Sequence, residues 1–237
     1  MSSADPTPAA PQSAEPDTPR RRLSDGLDLF YPIVPDIAWL KRLVPLGVRT
    51  VQLRIKDVDD TAALVRDIAE ARDVCTAHGC QLIVNDHWRA AIEAECDYVH
   101  LGQEDLASAD RAALRSAGVR LGISTHSEAE LEIALAADPD YVALGPIYET
   151  KLKKMAWAPQ GLERLTAWKK QIGSLTLVGI AGITLERADG VIDAGADSAA
   201  VITDIVTHAN PEARVRDWLA WADGRRPTPV DAAVRTT

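Results

Sequence analysis

Two carboxylates follow neighbouring short apolar runs. Asp86 comes after Leu82-Ile83-Val84-Asn85, and Asp105 comes after Tyr98-Val99, within His100-Leu101-Gly102-Gln103-Glu104-Asp105. On adjacent buried strands, the two side chains could converge on one hard cation. Mg²⁺ uses one or two protein carboxylates and completes its shell with water and substrate phosphate. The pair therefore suggests a phosphorylated ligand held through Mg²⁺ by Asp86 and Asp105. The competing reading is that each aspartate caps the helix that follows. Gln52, Arg54 and Lys56 add to the first reading, because alternate positions of a strand share a face. Arg54 would grip anionic oxygens as a fork and Lys56 as a point charge. Their plainer role is pairing with Asp57 or Asp59, but their alternation on an otherwise apolar strand favours anion binding.

These residues need a scaffold that gathers strand ends. Short apolar runs predict strands over Leu29–Val34, Thr50–Arg54, Gln81–Asn85, Tyr98–Leu101, Arg120–Ser124, Tyr141–Gly145, Leu175–Ile180 and Ala199–Thr203. Such runs suit a parallel sheet buried on both faces. Helical spacing of apolar residues lies between them, over Thr61–Ala77, Ser127–Ala137 and Leu185–Ala194. Gly47, Gly79, Gly118 and Gly195 each stand shortly before a strand, as helix C-caps do. Eight such alternations predict a single-domain (β/α)₈ barrel over residues 23–224. An open doubly wound sheet is the alternative, but no glycine-rich dinucleotide turn follows the first strand. Residues 1–22, rich in Pro, Ala, Ser and Thr, read as a disordered tail, and residues 225–237 as a loose one.

A barrel performs its chemistry at the C-terminal ends of its strands. That rim would hold Gln52, Arg54 and Lys56, then Asn85-Asp86, Asp105 and Ser124. The loop Gly145 to Gln160, with Thr150, Lys151, Lys153 and Lys154, joins it, as do the Gly182 turn and Ile202-Thr203. Ser124 could equally cap the next helix, as could Thr125 or Ser127. Gly182 could form an ordinary turn or admit a phosphate to backbone amides at a helix N-terminus. His100 and His126 have no evident partner and read as structural. His87 and Trp88 read as rim packing, and Trp39, Trp168, Trp218 and Trp221 as core or inter-helix packing.

The chain has 237 residues, is 46% hydrophobic and carries a net charge of -9. It has no dense basic stripe, which argues against a nucleic-acid partner. No apolar stretch is long enough to span a membrane, and no signal-peptide core is evident. Cys75, Cys80 and Cys96 form no metal spacing and read as buried thiols of a reduced, cytoplasmic protein. A homo-oligomer is compatible with the sequence.

At these residues the chain resembles the thiamine phosphate synthase family. The matching stretches are Gln52-Leu53-Arg54-Ile55-Lys56, Asn85-Asp86, His100 to Asp105, Gly122-Ile123-Ser124-Thr125-His126 and Gly145-Pro146-Ile147. Lys153-Lys154-Met155, Ala158-Pro159-Gln160-Gly161 and Gly182-Ile183 complete the ordered set. The resemblance implies a (β/α)₈ transferase that joins hydroxymethylpyrimidine pyrophosphate to thiazole phosphate, releasing pyrophosphate. It implies that Gln52, Arg54, Lys56, Asn85, Ser124 and Lys153 hold the pyrimidine pyrophosphate. Asp86 and Asp105 would hold Mg²⁺, and Thr150, Gly182 and the backbone near Ile202-Thr203 the thiazole phosphate. Arg54, Lys56, Lys153 and Ser124 would act on the leaving group. The chain departs from the family pattern at Leu152, Ala181 and Ile202-Thr203-Asp204, all on the thiazole-phosphate side. Asp204 is expected to cap the next helix. A thiazole tautomerase on a similar barrel, or a non-catalytic thiamine-phosphate binding protein, are the alternative readings.

Overall fold

The computed structural model describes residues 27–149 and 157–226. Eight parallel strands close into a barrel in sequence order. They are β1 (Phe30–Val34), β2 (Thr50–Leu53), β3 (Gln81–Asn85), β4 (Tyr98–Leu101), β5 (Arg120–Thr125), β6 (Tyr141–Leu144), β7 (Thr176–Ile180) and β8 (Ser198–Val201). Pairing of β8 with β1, Ala199 opposite Phe30 and Val201 opposite Pro32, excludes an open sheet.

The helices surround the strands: α1 (Ile37–Leu43), α2 (Thr61–Ala77), α3 (Trp88–Glu93), α4 (Gln103–Ser108), α5 (Arg111–Ser116), α6 (Glu128–Leu135), α7 (Gly161–Ile172), α8 (Leu185–Asp193), α9 (Thr203–Val206) and α10 (Pro211–Arg225). Several of their starts are fixed by short polar caps. Asp60 accepts from the amides of Ala62 and Ala63, Asp110 from Ala112 and Ala113, and Ser127 from Glu130. Each such cap contributes about 1 kcal/mol.

Alternation along the strands separates two cores. Outward residues such as Phe30, Val51, Val99, Val142 and Leu177 pack under the helices. Phe30 stacks on Trp218 of α10 with ring centroids 5.1 Å apart, and Trp168 of α7 is likewise fully buried. Inward residues Tyr31, Ile33, Ile83, Tyr98, Tyr141, Ala143, Val178 and Ala200 fill the barrel. Gln81, Asp97 and Arg120 are hydrogen-bonded together where β3 and β5 begin, with the Arg120 guanidinium 4.1 Å over the Tyr98 ring. Cys75, Cys80 and Cys96 are all buried.

The strand ends differ slightly from expectation. β2 stops at Leu53 and β8 at Val201, so Arg54 and Thr203 lie beyond the sheet. After β8 the chain turns at once into α9, with Ile202 at its N-cap position.

Candidate active site

A cavity of about 1050 Å³ opens at the C-terminal ends of the strands. Gln52, Arg54, Asn85, Ser124, Gly182, Ile202 and Thr203 line it. Residues expected to meet a pyrimidine pyrophosphate and residues expected to meet a thiazole phosphate thus share one chamber. Thr150 and Lys153 lie outside the described residues.

Inward register explains how the side chains arrive. Gln52 on β2 pairs with Ile83 on β3, Asn85 on β3 with His100 on β4, and His100 with Gly122 on β5. Ser124 follows two residues after Gly122, on the same face. It is part of β5 and meets His100 Nε2 at 2.6 Å, so it is Ser127, not Ser124, that caps α6. Asn85 is buried, and its Nδ2 has no hydrogen-bond partner among the described residues. An unmade hydrogen bond there costs on the order of 1–3 kcal/mol, which a ligand acceptor would recover. Arg54, exposed where it lines the chamber, has no ion-pair partner among the described residues and does not pair with Asp57 or Asp59.

The two carboxylates stand beside this chamber. Asp86 occupies the left-handed region, φ 62°, which an aspartate tolerates better than most residues. Its carboxylate accepts from Lys56 and is hydrogen-bonded to Asp105. Neither aspartate caps a helix through its side chain: α3 has His87 at its N-cap without a side-chain bond, and Asp105 lies within the first turn of α4. Burial pushes Asp86 up, but the Lys56 ammonium and the Asp105 hydrogen bond carry it below the usual range. Burial and the negative Asp86 raise Asp105. Two carboxyls in contact, one held acidic and one pushed up, compete for a proton or a cation. Two hard oxygen donors beside the chamber fit Mg²⁺, although no cluster of three or more metal-binding side chains occurs among the described residues.

His100 is not an isolated structural histidine. Its Nδ1 lies 2.6 Å from the Tyr141 hydroxyl and its Nε2 meets Ser124. Burial lowers it to about 4; Asp86 opposes the shift and Arg54 assists it. The imidazole is therefore neutral at pH 7. In the unfolded chain its pKa is near 6.5, so this group's stabilising contribution is complete above 6.5 and is lost as pH falls towards about 4. The loss approaches roughly 3 kcal/mol. Urea unfolding at pH 7 and pH 4.5 should show wild type losing about 2–3 kcal/mol more than His100→Asn. Equal acid losses in the two proteins would remove this account. His126 was also given no partner by sequence, yet Glu130 accepts from its backbone amide and meets its ring Nδ1 at 2.9 Å. The i, i+4 spacing of the pair was the available signal. His126 also stacks on Trp157, centroids 5.7 Å apart, and lines the chamber.

The side expected to meet the thiazole phosphate carries one correction. Asp204 does not cap a helix. It accepts from Arg214 Nε at 2.8 Å, Arg214 Nη2 at 3.0 Å and Trp218 Nε1 at 2.8 Å, so α10 holds its charge. Ala181, where the chain departs from the pattern it resembles, takes a positive φ of 72°, next to Gly182 at 70°. His87 packs the rim as expected, with Nε2 3.0 Å from the Ile55 carbonyl.

The family model described as thiamine monophosphate synthase matches residues 30–205. The chain belongs to this family. A thiamine-phosphate synthase of Rhizobium etli is 59% identical over 194 residues, 82% of this chain and 95% of that protein. One from Neisseria meningitidis serogroup A is 47% identical over 195 residues, 82% of this chain and 95% of the relative. The solved thiamine phosphate pyrophosphorylase of Pyrococcus furiosus superposes with a TM-score of 0.72 at 22% identity, covering 84% of this chain and 96% of that one. The barrel is thus the fold of the thiamine monophosphate synthase family. No helix among the described residues is long and apolar enough to cross a membrane.

Proposed function

We propose that this chain is a thiamine-phosphate synthase, a transferase that joins hydroxymethylpyrimidine pyrophosphate to thiazole phosphate. The observation that carries the reading is the chamber lined by Gln52, Arg54, Asn85, Ser124, Gly182, Ile202 and Thr203, with the Lys56–Asp86 pair and Asp105 next to it outside the lining. Relatives of the same name at 59% and 47% identity support it.

Gln52 and Asn85 bind the pyrimidine moiety and its nearest oxygens, Asn85 Nδ2 gaining the acceptor that it lacks. Arg54, Lys56, Ser124 and Lys153 bind the pyrophosphate. Asp86 and Asp105 hold Mg²⁺, which supplies positive charge to the departing pyrophosphate. Charge placed where charge develops lowers the barrier more than charge that merely binds substrate. The bond between the methylene carbon and the pyrophosphate oxygen breaks, with both electrons leaving on oxygen. The thiazole nitrogen then forms the new C–N bond from its lone pair. Neither step requires a protein nucleophile, and Ser124 is not poised as one: it is hydrogen-bonded to a neutral imidazole whose other nitrogen is occupied by Tyr141. Thr150, the Gly182 turn and the backbone near Ile202-Thr203 hold the thiazole phosphate.

Mixing both substrates with and without Mg²⁺ and following thiamine phosphate tests the reading. Formation of thiamine phosphate that requires Mg²⁺ is expected. Release of pyrophosphate with no thiamine phosphate would mean a different acceptor.

A further inference from the structure

Five polar side chains form one continuous chain across the barrel interior. Gln52 Nε2 donates to the Tyr31 hydroxyl at 2.7 Å. Tyr31 and Tyr141 hydroxyls are 2.9 Å apart, Tyr141 lies 2.6 Å from His100 Nδ1, and His100 Nε2 lies 2.6 Å from Ser124 Oγ. The two ends are 72 residues apart in sequence but line the same chamber. The middle is fully enclosed: Tyr31 is 1% and Tyr141 0% exposed. The fold makes room for this hub, because a Cβ at Gly122 would sit 2.1 Å from the Tyr141 ring.

Donor counting gives the chain a direction. An amide nitrogen only donates, so Tyr31 accepts from Gln52 and has its own proton left for Tyr141. Tyr141 then donates to His100 Nδ1. A neutral imidazole with Nδ1 as acceptor carries its proton on Nε2, which donates to Ser124. Ser124 keeps its hydroxyl proton for the chamber. At the other end the Gln52 carbonyl, with no partner among the described residues, is left as an acceptor. The two tyrosine hydroxyls and both ring nitrogens of His100 are all satisfied only if these bonds run the same way.

We propose that Tyr31 and Tyr141 are positioning residues that fix the polarity of both ends of the pyrimidine pyrophosphate site. Gln52 is presented as an acceptor for an exocyclic amino group, and Ser124 as a donor to a pyrophosphate oxygen. The buried tyrosines thereby select an amino-bearing ring over the same ring bearing an oxo group, although neither of them lines the chamber. The ligand half of the inference rests on the synthase reading; the direction of the chain does not.

Two measurements test these halves separately. ¹⁵N NMR of histidine-labelled wild-type protein at neutral pH, with His100 assigned by the signal lost in His100→Asn, reads the tautomer without substrate. Proton on Nε2 and a bare Nδ1 are expected, and a ring protonated on Nδ1 would overturn the direction. The second measurement compares KM for the amino pyrimidine pyrophosphate and its oxo analogue. Wild type should favour the amino ring by at least ~10-fold, since a wrong ring leaves a buried polar group unpaired. In Tyr31→Phe, and in Tyr141→Phe if the first is poorly folded, the Gln52 amide is free to turn and the preference should fall to roughly threefold or less. The KM for thiazole phosphate should stay unchanged. Equal losses on both rings, with the preference intact, would show that the tyrosines merely fill the barrel. A wild-type enzyme that makes no thiamine phosphate would sink the synthase reading and the ligand half with it, while the tautomer would still decide the direction of the chain.

Discussion

Asp86→Ala and Asp105→Ala should each remove turnover, by at least ~10³-fold, while leaving the barrel folded. Both side chains sit at the rim and not in either core, so the truncation opens no cavity under a helix. Their loss acts on charge. Asp86→Ala strips Lys56 of its carboxylate partner and leaves Asp105, already pushed up by burial and by its neighbour, as a single ligand. One carboxylate holds Mg²⁺ more weakly than two, so raising the Mg²⁺ concentration should recover part of the lost rate in the Asp105→Ala enzyme. Circular dichroism and thermal unfolding check the fold, and pyrophosphate release across a Mg²⁺ series checks the chemistry. Near-normal turnover in both variants at ordinary Mg²⁺ would end the metal assignment. The loss is expected in turnover more than in substrate KM, because the charge is needed most as the leaving oxygen becomes negative.

The barrel was legible because its strands are short apolar runs with capped helices between them, a signal carried by each segment alone. α2, predicted over Thr61–Ala77, is found over those same residues. Errors gather at strand ends, where Thr203 was read as sheet although the chain bends sharply after Val201 into α9. Carboxylates and cations of the rim were legible for a different reason: charge on an apolar strand is locally conspicuous. The polar chain inside the barrel was not. Tyr31 and Tyr141 read as apolar strand residues, and His100 as a structural histidine, because their partners lie up to 110 residues away. Only closure of the barrel and inward register bring them together. Asp204 was misassigned for the same reason, since Arg214 and Trp218 reach it from the last helix. The roles of Thr150 and Lys153 still rest on the family resemblance, and both residues lie outside the described structure.

Gly182→Ala and Ala181→Gly should have opposite effects on stability, though the two residues are adjacent and share a backbone conformation. Both lie in the left-handed region, at φ 70° and 72°. A Cβ on Gly182 would stand 2.6 Å from the Glu149 carbonyl oxygen, and 2.7 Å from both the Tyr148 Cβ and its carbonyl oxygen. Backbone carbonyls cannot swing aside as a side-chain tip can, so the β7 turn must separate from the segment that leads out of β6. Overpacking plus left-handed strain should cost roughly 2–5 kcal/mol. The same turn lines the chamber, and a displacement of about 1 Å at a positioning element can cost ~10²-fold in rate. At Ala181 the Cβ is already accommodated, leaving only the strain. Its relief, on the order of 1–2 kcal/mol, is partly offset by the extra freedom that glycine has when unfolded. A net gain of about 0.5–1 kcal/mol is expected for Ala181→Gly. Urea unfolding of both variants, with KM for thiazole phosphate measured alongside, checks the pair. Gly182→Ala should raise that KM more than the KM for the pyrimidine pyrophosphate if Gly182 holds the thiazole phosphate as proposed. If Gly182→Ala unfolds like wild type and turns over normally, the close approach of Tyr148 and Glu149 to this turn does not set the acceptor site.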